Sequence, residues 1–355
     1  MSARKRWRYG FLLFVLAASF LVLSYPLWRL ISWFSGYEFN FWQIILIWLA
    51  PAACVIWAFR GASSGFRYFM VHWVGVGFVF FSVTLSYELI RLTGMTDDRA
   101  AAPWLVVIGL LICVFALLAA HYIRINTIEI QSEKLAKPRR VVQLSDVHIG
   151  SRQAAYMDRL VQRVNRLQPD IVVITGDLVD TGAVGKAELQ SLVNLTSQIY
   201  FVTGNHERYA GLDAILGVLE ELGVTVLRNQ HADHDDIQFI GIDDADHHEQ
   251  VALQLPKIPS DALKYRILLY HRPAGWADAV QHGIDLMLSG HTHNGQIFPF
   301  NWLVKREFKF IKGLYRQGTA HLYVSMGSGT WGPLMRLGSW NEITCIDLRP
   351  LLDRR

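Results

Sequence analysis

Seven side chains able to ligate a divalent cation fall into five short clusters of this 355-residue chain. They are Asp146 and His148 in Ser145-Asp146-Val147-His148, Asp177 after Gly176, Asn205 in Gly204-Asn205-His206-Glu207, His271 in Tyr270-His271-Arg272-Pro273, and His291 and His293 in Gly290-His291-Thr292-His293. Mixed carboxylate, imidazole and amide donors suit a pair of borderline divalent ions, such as manganese, zinc or iron, better than a single zinc. Paired ions activate water against phosphorus, so these residue types point to hydrolysis of a phosphoester or phosphoanhydride bond.

Side chains so far apart in sequence need a scaffold that gathers them. From Asn126 onward short β-branched runs alternate with amphipathic segments, the pattern of an α/β layered fold. Val141–Ser145, Ile171–Thr175, Ile199–Thr203, Ile237–Ile242, Arg266–Tyr270 and Asp285–Ser289 are expected as buried strands. Tyr156, Met157, Leu160, Val161, Val164 and Leu167 recur at helical spacing, as do Leu212, Ile215, Leu216, Leu219 and Leu222, and both sets are expected to be core. Each ligand cluster directly follows a strand, which places the clusters together in loops at one sheet edge. A second acidic and histidine-rich set comprises His231, His234, Asp235, Asp236, Asp243, Asp244, Asp246, His247 and His248. Its spacing matches no metal motif, and it is read as solvated hairpin and loop residues.

Taken in series, Asp-x-His, Gly-Asp-x-x-Asp, Gly-Asn-His-Glu, a further His and Gly-His-x-His make the chain from about Arg140 to Leu348 resemble the calcineurin-like metallophosphoesterases. The resemblance implies an α/β sandwich in which Asp146, His148 and His293 hold one metal and Asn205, His271 and His291 the other. Asp177 would bridge the two ions, which lie roughly 3.5–4 Å apart in such sites. His206 resembles the family's catalytic histidine, which sits over the leaving group and can protonate or polarise that oxygen. Asp180, closing Gly176-Asp177-Leu178-Val179-Asp180, resembles the acidic partner that orients this histidine. Without the resemblance, Asp180 would read as a helix N-cap before Thr181-Gly182. Gly290 to Gln296, Gly313-Leu314-Tyr315, Tyr323-Val324-Ser325 and Arg336-Leu337-Gly338 are similar to the membrane-associated branch. Asn294 departs from that branch where a second glycine is usual, so substrate identity is not inherited from any one relative.

The first third of the chain is of another kind. Four apolar stretches, Phe11–Trp28, Phe39–Phe59, Phe66–Ile90 and Pro103–Tyr122, are each near the length of about 20 residues that spans a bilayer. Arg4, Lys5, Arg6 and Arg8 precede the first, as in a signal peptide, but no small-residue cleavage site follows and a retained helix is expected. The expected division is a four-helix transmembrane region over residues 1–125 and an α/β sandwich metallophosphoesterase domain over residues 126–355. Lysine and arginine concentrate on the side holding the N-terminus, Arg60, Arg67 and the segment Arg124 to Arg140, which predicts a catalytic domain on the cytoplasmic face. Were the first stretch, with Pro26 and Arg29 near its end, not to cross, the domain would face the other side. The net charge of +4 draws much on these flanking residues and implies no nucleic-acid partner. Cys54 and Cys113 lie in apolar stretches and Cys345 stands alone, so no disulfide framework is available. His72 and Glu88 are expected near helix ends rather than in a transport path.

Three function classes compete. One is a membrane-anchored phosphodiesterase or pyrophosphatase acting on a phosphorylated, possibly lipid-linked group, for which UDP-2,3-diacylglucosamine pyrophosphatases of lipid A synthesis are a related activity. Another is a non-catalytic metal-binding regulatory module at the membrane, and the complete ligand set with His206 argues against it. The third, a transporter with an accessory domain, is disfavoured by spans almost free of charge. Between Ile297 and Lys312, aromatic and basic residues alternate. That alternation suits a lipid headgroup interface and equally an edge hairpin packed on the core.

Overall fold

The computed structural model describes residues 15–351, so Arg4, Lys5, Arg6, Arg8 and the start of the first apolar stretch lie outside the described residues. The chain forms two compact units. One contains the chain up to Leu118 together with Gly332–Met335, and the other Ala119–Trp331 with the chain from Arg336. The division falls before the expected 125/126 boundary, because residues from Ile123 already form a strand.

The first unit is built on α1 (Val15–Ser35), α2 (Phe41–Arg60), α3 (Ser64–Arg91) and α4 (Asp98–His121), all long and apolar enough to cross a membrane. Asn40 begins α2 with a capping box, its side chain accepting from Gln43 N while Gln43 accepts from Asn40 N. Glu88, near the end of α3, is paired with Arg29 at 2.5 Å and Arg91 at 2.7 Å. His72 lies well inside α3 rather than at its end, and its Nε2 accepts from Leu334 N at 3.2 Å.

The second unit is a sandwich of two six-stranded sheets. The first contains β1 (Ile123–Ser132), β2 (Arg139–Leu144), β3 (Ile171–Thr175), β4 (Gln198–Val202), β5 (Thr225–Val226) and β12 (Asn341–Pro350), in the order β1-β12-β2-β3-β4-β5. The second contains β6 (Gln230–His234), β7 (Ile237–Ile242), β8 (Tyr265–Tyr270), β9 (Leu286–Ser289), β10 (Gly313–Gln317) and β11 (Ala320–Val324), in the order β10-β11-β9-β8-β7-β6. Strands β2 to β5 run parallel, as do β7, β8, β9 and β11. A parallel strand covered on both faces must be apolar throughout, and Ile171-Val172-Val173-Ile174 is buried along its whole length.

One face of Val141, Val173, Tyr200 and Val202 meets Phe239, Ile267, Leu269 and Leu288 to form the core between the sheets. On the other face of the first sheet, α5 (Ala154–Arg166) buries Tyr156, Met157, Leu160 and Val164. The short α6 (Asn205–Ala210) leads into α7 (Leu212–Glu221), which buries Ile215 and Leu219 in the same cluster. In the segment after the last ligand cluster the structure departs from a hairpin: α8 (Asn301–Glu307) is a helix that buries none of its residues.

Candidate metal centre

The ligand clusters sit at the C-terminal ends of β2, β3, β4, β8 and β9, so the two sheets deliver them to one edge of the sandwich. Reaching inward from those ends requires an unusual backbone. Asp146, His148, Asp177, His291 and His293 adopt φ of 52°, 57°, 52°, 71° and 49°, in the left-handed region that L-residues avoid. Such conformations persist where surrounding bonds over-determine them. Here Asp146 N donates to Gly176 O at 3.0 Å, His148 N to Asp177 O at 3.1 Å and Gly290 N to His271 O at 2.8 Å. Gly204 is required for close approach, since a Cβ there would collide with the Asp177 carboxylate.

Two groups of donors result. In the first, His148 Nε2 lies 3.0 Å from His293 Nε2, and His293 Nε2 lies 3.4 Å from Asp146 Oδ1. In the second, His271 Nε2 lies 3.1 Å from His291 Nδ1 and 3.2 Å from Asp177 Oδ2. Asp177 Oδ2 is also 4.0 Å from His148 Nε2, which puts this carboxylate between the groups. Asn205 Oδ1 is buried with no hydrogen-bond partner among the described residues. An orphaned acceptor costs about 1–3 kcal/mol, and each contact between two imidazole nitrogens requires that one of them present a lone pair. Both features fit divalent cations bound among these residues.

The protonation pattern is in keeping. Burial opposes charge on His148, but the Asp180 carboxylate outweighs it and raises the ring to about 9. Burial is likewise overcome at His271 by Asp177, to about 10. Their partners His293 and His291 fall well below the ordinary histidine value, through burial and then the charge on His148 and His271 respectively. In each imidazole pair, positive charge on one ring is thus favoured by the buried carboxylate beside it.

Around the ligands lies a supporting set of bonds. Asp180 Oδ1 accepts from His148 Nδ1 at 2.5 Å and from His206 Nδ1 at 2.9 Å, and Oδ2 accepts from Ser151 N at 3.2 Å. No helix begins at Thr181, so Asp180 is not an N-cap. His271 Nδ1 donates to Thr175 O at 2.8 Å, which turns Nε2 inward towards Asp177 and His291. Three supporting residues were not anticipated. Buried Glu207 accepts from the backbone N–H groups of Asp177 (3.0 Å), Leu178 (2.7 Å), Val179 (3.1 Å) and Gly204 (2.7 Å), tying two ligand loops together. Buried Arg336 donates to His293 O at 3.1 Å, and Ser145 Oγ to Asp146 Oδ2 at 2.6 Å. The signals were present, since Glu207 closes Gly-Asn-His-Glu and Arg336 opens Arg-Leu-Gly.

His206 is partly accessible, at 15% side-chain exposure, with Nε2 3.9 Å from Asp177 Oδ2. It lies within ligating reach of an ion shared with His148 and Asp177. The largely exposed rings of Tyr209 and Trp331 flank it, with centroids at 5.9 and 5.8 Å. Asp244, expected in a solvated loop, is instead buried, because Arg208 and Arg272 both hold it.

Residues 139–295 match the calcineurin-like phosphoesterase family. An uncharacterised metallophosphoesterase of Aquifex aeolicus is 32% identical over 256 residues, covering 68% of this chain and 98% of that relative. The chain belongs to the calcineurin-like phosphoesterase family. An uncharacterised metallophosphoesterase of Helicobacter pylori strain J99 is 38% identical over 237 residues, 64% of each chain. A transmembrane protein with metallophosphoesterase domain from Danio rerio is 36% identical over 261 residues, 65% of this chain and 58% of that one. The chain thus matches less than two thirds of the length of these last two relatives. In this calcineurin-like phosphoesterase the family match ends at residue 295, before β10, β11 and β12 complete the two sheets.

Proposed function

We propose that the chain is a membrane-anchored phosphodiesterase or pyrophosphatase using two divalent ions, manganese, zinc or iron, with its catalytic domain on the cytoplasmic face. Asp146, His148 and His293 would hold one ion, Asn205, His271 and His291 the other, and Asp177 both. The observation that carries the reading is the reach of Asp177 Oδ2 to both imidazole groups, 3.2 Å from His271 Nε2 and 4.0 Å from His148 Nε2. Bound there, divalent ions would supply an activated water and draw charge from the phosphoryl oxygens. The remaining work falls to side chains. His206 donates through Nδ1 to Asp180, so Nε2 is the atom left to deliver a proton to the departing oxygen. The rings of Tyr209 and Trp331 stand beside His206 on that side.

A lipid-linked substrate is favoured by a second observation. Phe298, Phe300, Trp302 and Leu303 are exposed beside exposed Lys305, Arg306 and Lys309, a combination suited to a headgroup surface. UDP-2,3-diacylglucosamine, cut at its pyrophosphate, is one substrate of that class. The test is protein purified in detergent, reloaded with manganese, and offered a chromogenic monoester, a chromogenic diester, glycerophospholipids and UDP-diacylglucosamine. Hydrolysis of a diester or pyrophosphate that stops on chelation is expected. Tight manganese binding without turnover of any substrate would instead favour the regulatory module.

A further inference from the structure

Arg208 and Arg272 converge on a pair of aspartates beside the metal centre. Arg272 directly follows the ligand His271, and Arg208 is two residues beyond His206 on α6. Their two acidic partners differ in kind. Asp244 is fully buried and fixed: Arg272 Nε donates to Oδ1 at 2.6 Å, Arg208 Nη2 to Oδ2 at 2.8 Å, and Asp244 N donates to Thr203 Oγ1 at 3.2 Å. Asp246 is 64% exposed, yet its Oδ1 takes both Arg208 Nη2 and Arg272 Nη2 at 2.7 Å. One exposed carboxylate oxygen therefore bridges two guanidinium groups. Arg208 Nε is buried without a hydrogen-bond partner among the described residues.

Two guanidinium groups with a single buried counter-ion carry one net positive charge, in the fork geometry that matches a phosphoryl group. Exposed ion pairs contribute little, so an incoming dianion displaces Asp246 at small cost while Asp244 stays in place. We infer that Arg208 and Arg272 form an anion subsite for a second phosphoryl group of the substrate, next to the one attacked, and that Asp246 fills this subsite when no substrate is bound. The subsite gives a diphosphate an advantage over a simple diester. It rests on the phosphoesterase reading for its neighbour, the metal centre, but not for its own chemistry.

The test is calorimetric binding of methylenediphosphonate and methylphosphonate to the full-length, manganese-loaded protein in detergent, with metal content measured for each variant. Methylphosphonate can fill only a single phosphoryl position, whereas the inferred subsite would take the second phosphonate of methylenediphosphonate. Asp246→Asn should tighten methylenediphosphonate about fivefold and Arg208→Gln should weaken it at least about tenfold, with much smaller changes for methylphosphonate. Equal changes for both ligands would mean that the arginines act only through the metal centre, and an unchanged affinity in Asp246→Asn would mean that no subsite exists. Either result overturns the inference. Since binding needs no turnover, a protein that hydrolyses nothing still decides it, and a diesterase with unaltered diphosphonate binding loses only the subsite.

Discussion

Asp180 Oδ1 lies 2.9 Å from His206 Nδ1, and the same oxygen lies 2.5 Å from Nδ1 of His148. A single buried carboxylate oxygen thus orients both the proposed proton donor and a proposed ligand. Asp180→Asn should therefore do two kinds of damage, lowering manganese affinity by about 10–100-fold and turnover by at least about 100-fold. His206→Ala should lose comparable turnover and keep its metal. Metal analysis beside kcat for both variants decides it. If Asp180→Asn retains metal as well as His206→Ala does, Asp180 acts through His206 alone.

Asp177→Asn should abolish activity and loosen both ions, since losing the shared charge leaves two cations facing each other. Chelation should also destabilise the wild-type domain. Ligand at 100 times its Kd stabilises by about 2.7 kcal/mol, which for a domain of this size is roughly 5–10 °C in Tm. Scanning calorimetry with and without manganese, on wild type and Asp177→Asn, reads this directly. A wild-type Tm indifferent to manganese would contradict an ion-binding centre.

His291 has a φ of 71°, a conformation that alanine resists and glycine accepts. With metal absent, His291→Gly should be more stable than His291→Ala by about 0.5–1 kcal/mol, after allowing for glycine's greater unfolded-state freedom. Denaturant midpoints of the two metal-free variants check it. A more stable alanine variant would show that this loop relaxes once the imidazole is gone.

Trp302 and Phe300, 62% and 46% exposed, should matter to a lipid-linked substrate and not to a small soluble one. Replacing both with Ser should lower turnover of the lipid-linked phosphoester by at least about tenfold, roughly 1.4 kcal/mol. Hydrolysis of a water-soluble diester should change far less. Parallel loss of both activities would make the segment a structural one.

The distribution of lysine and arginine about the four apolar helices predicts a cytoplasmic catalytic domain. A reporter fused after Arg355 should behave as cytoplasmic, and external protease should leave the domain intact in spheroplasts. Cleavage there would reverse the orientation.

The sequence by itself determined which side chains meet and at which edge. Ligands placed immediately after apolar, β-branched runs such as Ile171–Thr175 must emerge at the C-terminal ends of parallel strands, because such runs tolerate burial on both faces. It also determined the four long apolar helices, whose signal is purely local. Tertiary structure decided the rest. Strand β12 pairs with β1 and β2 across about two hundred residues, a choice set by long-range backbone bonding that no local pattern announces. The exposed helix α8 replaced an alternation that suited a hairpin equally well. Asp244 looked like one of several loop carboxylates, and only the convergence of Arg208 and Arg272 made its burial favourable. The sharing of Asp180 between His148 and His206 was hidden for the same reason. A motif specifies residue types along the chain, whereas which lone pair each proton faces depends on distances that exist only once both sheets have closed over their common core.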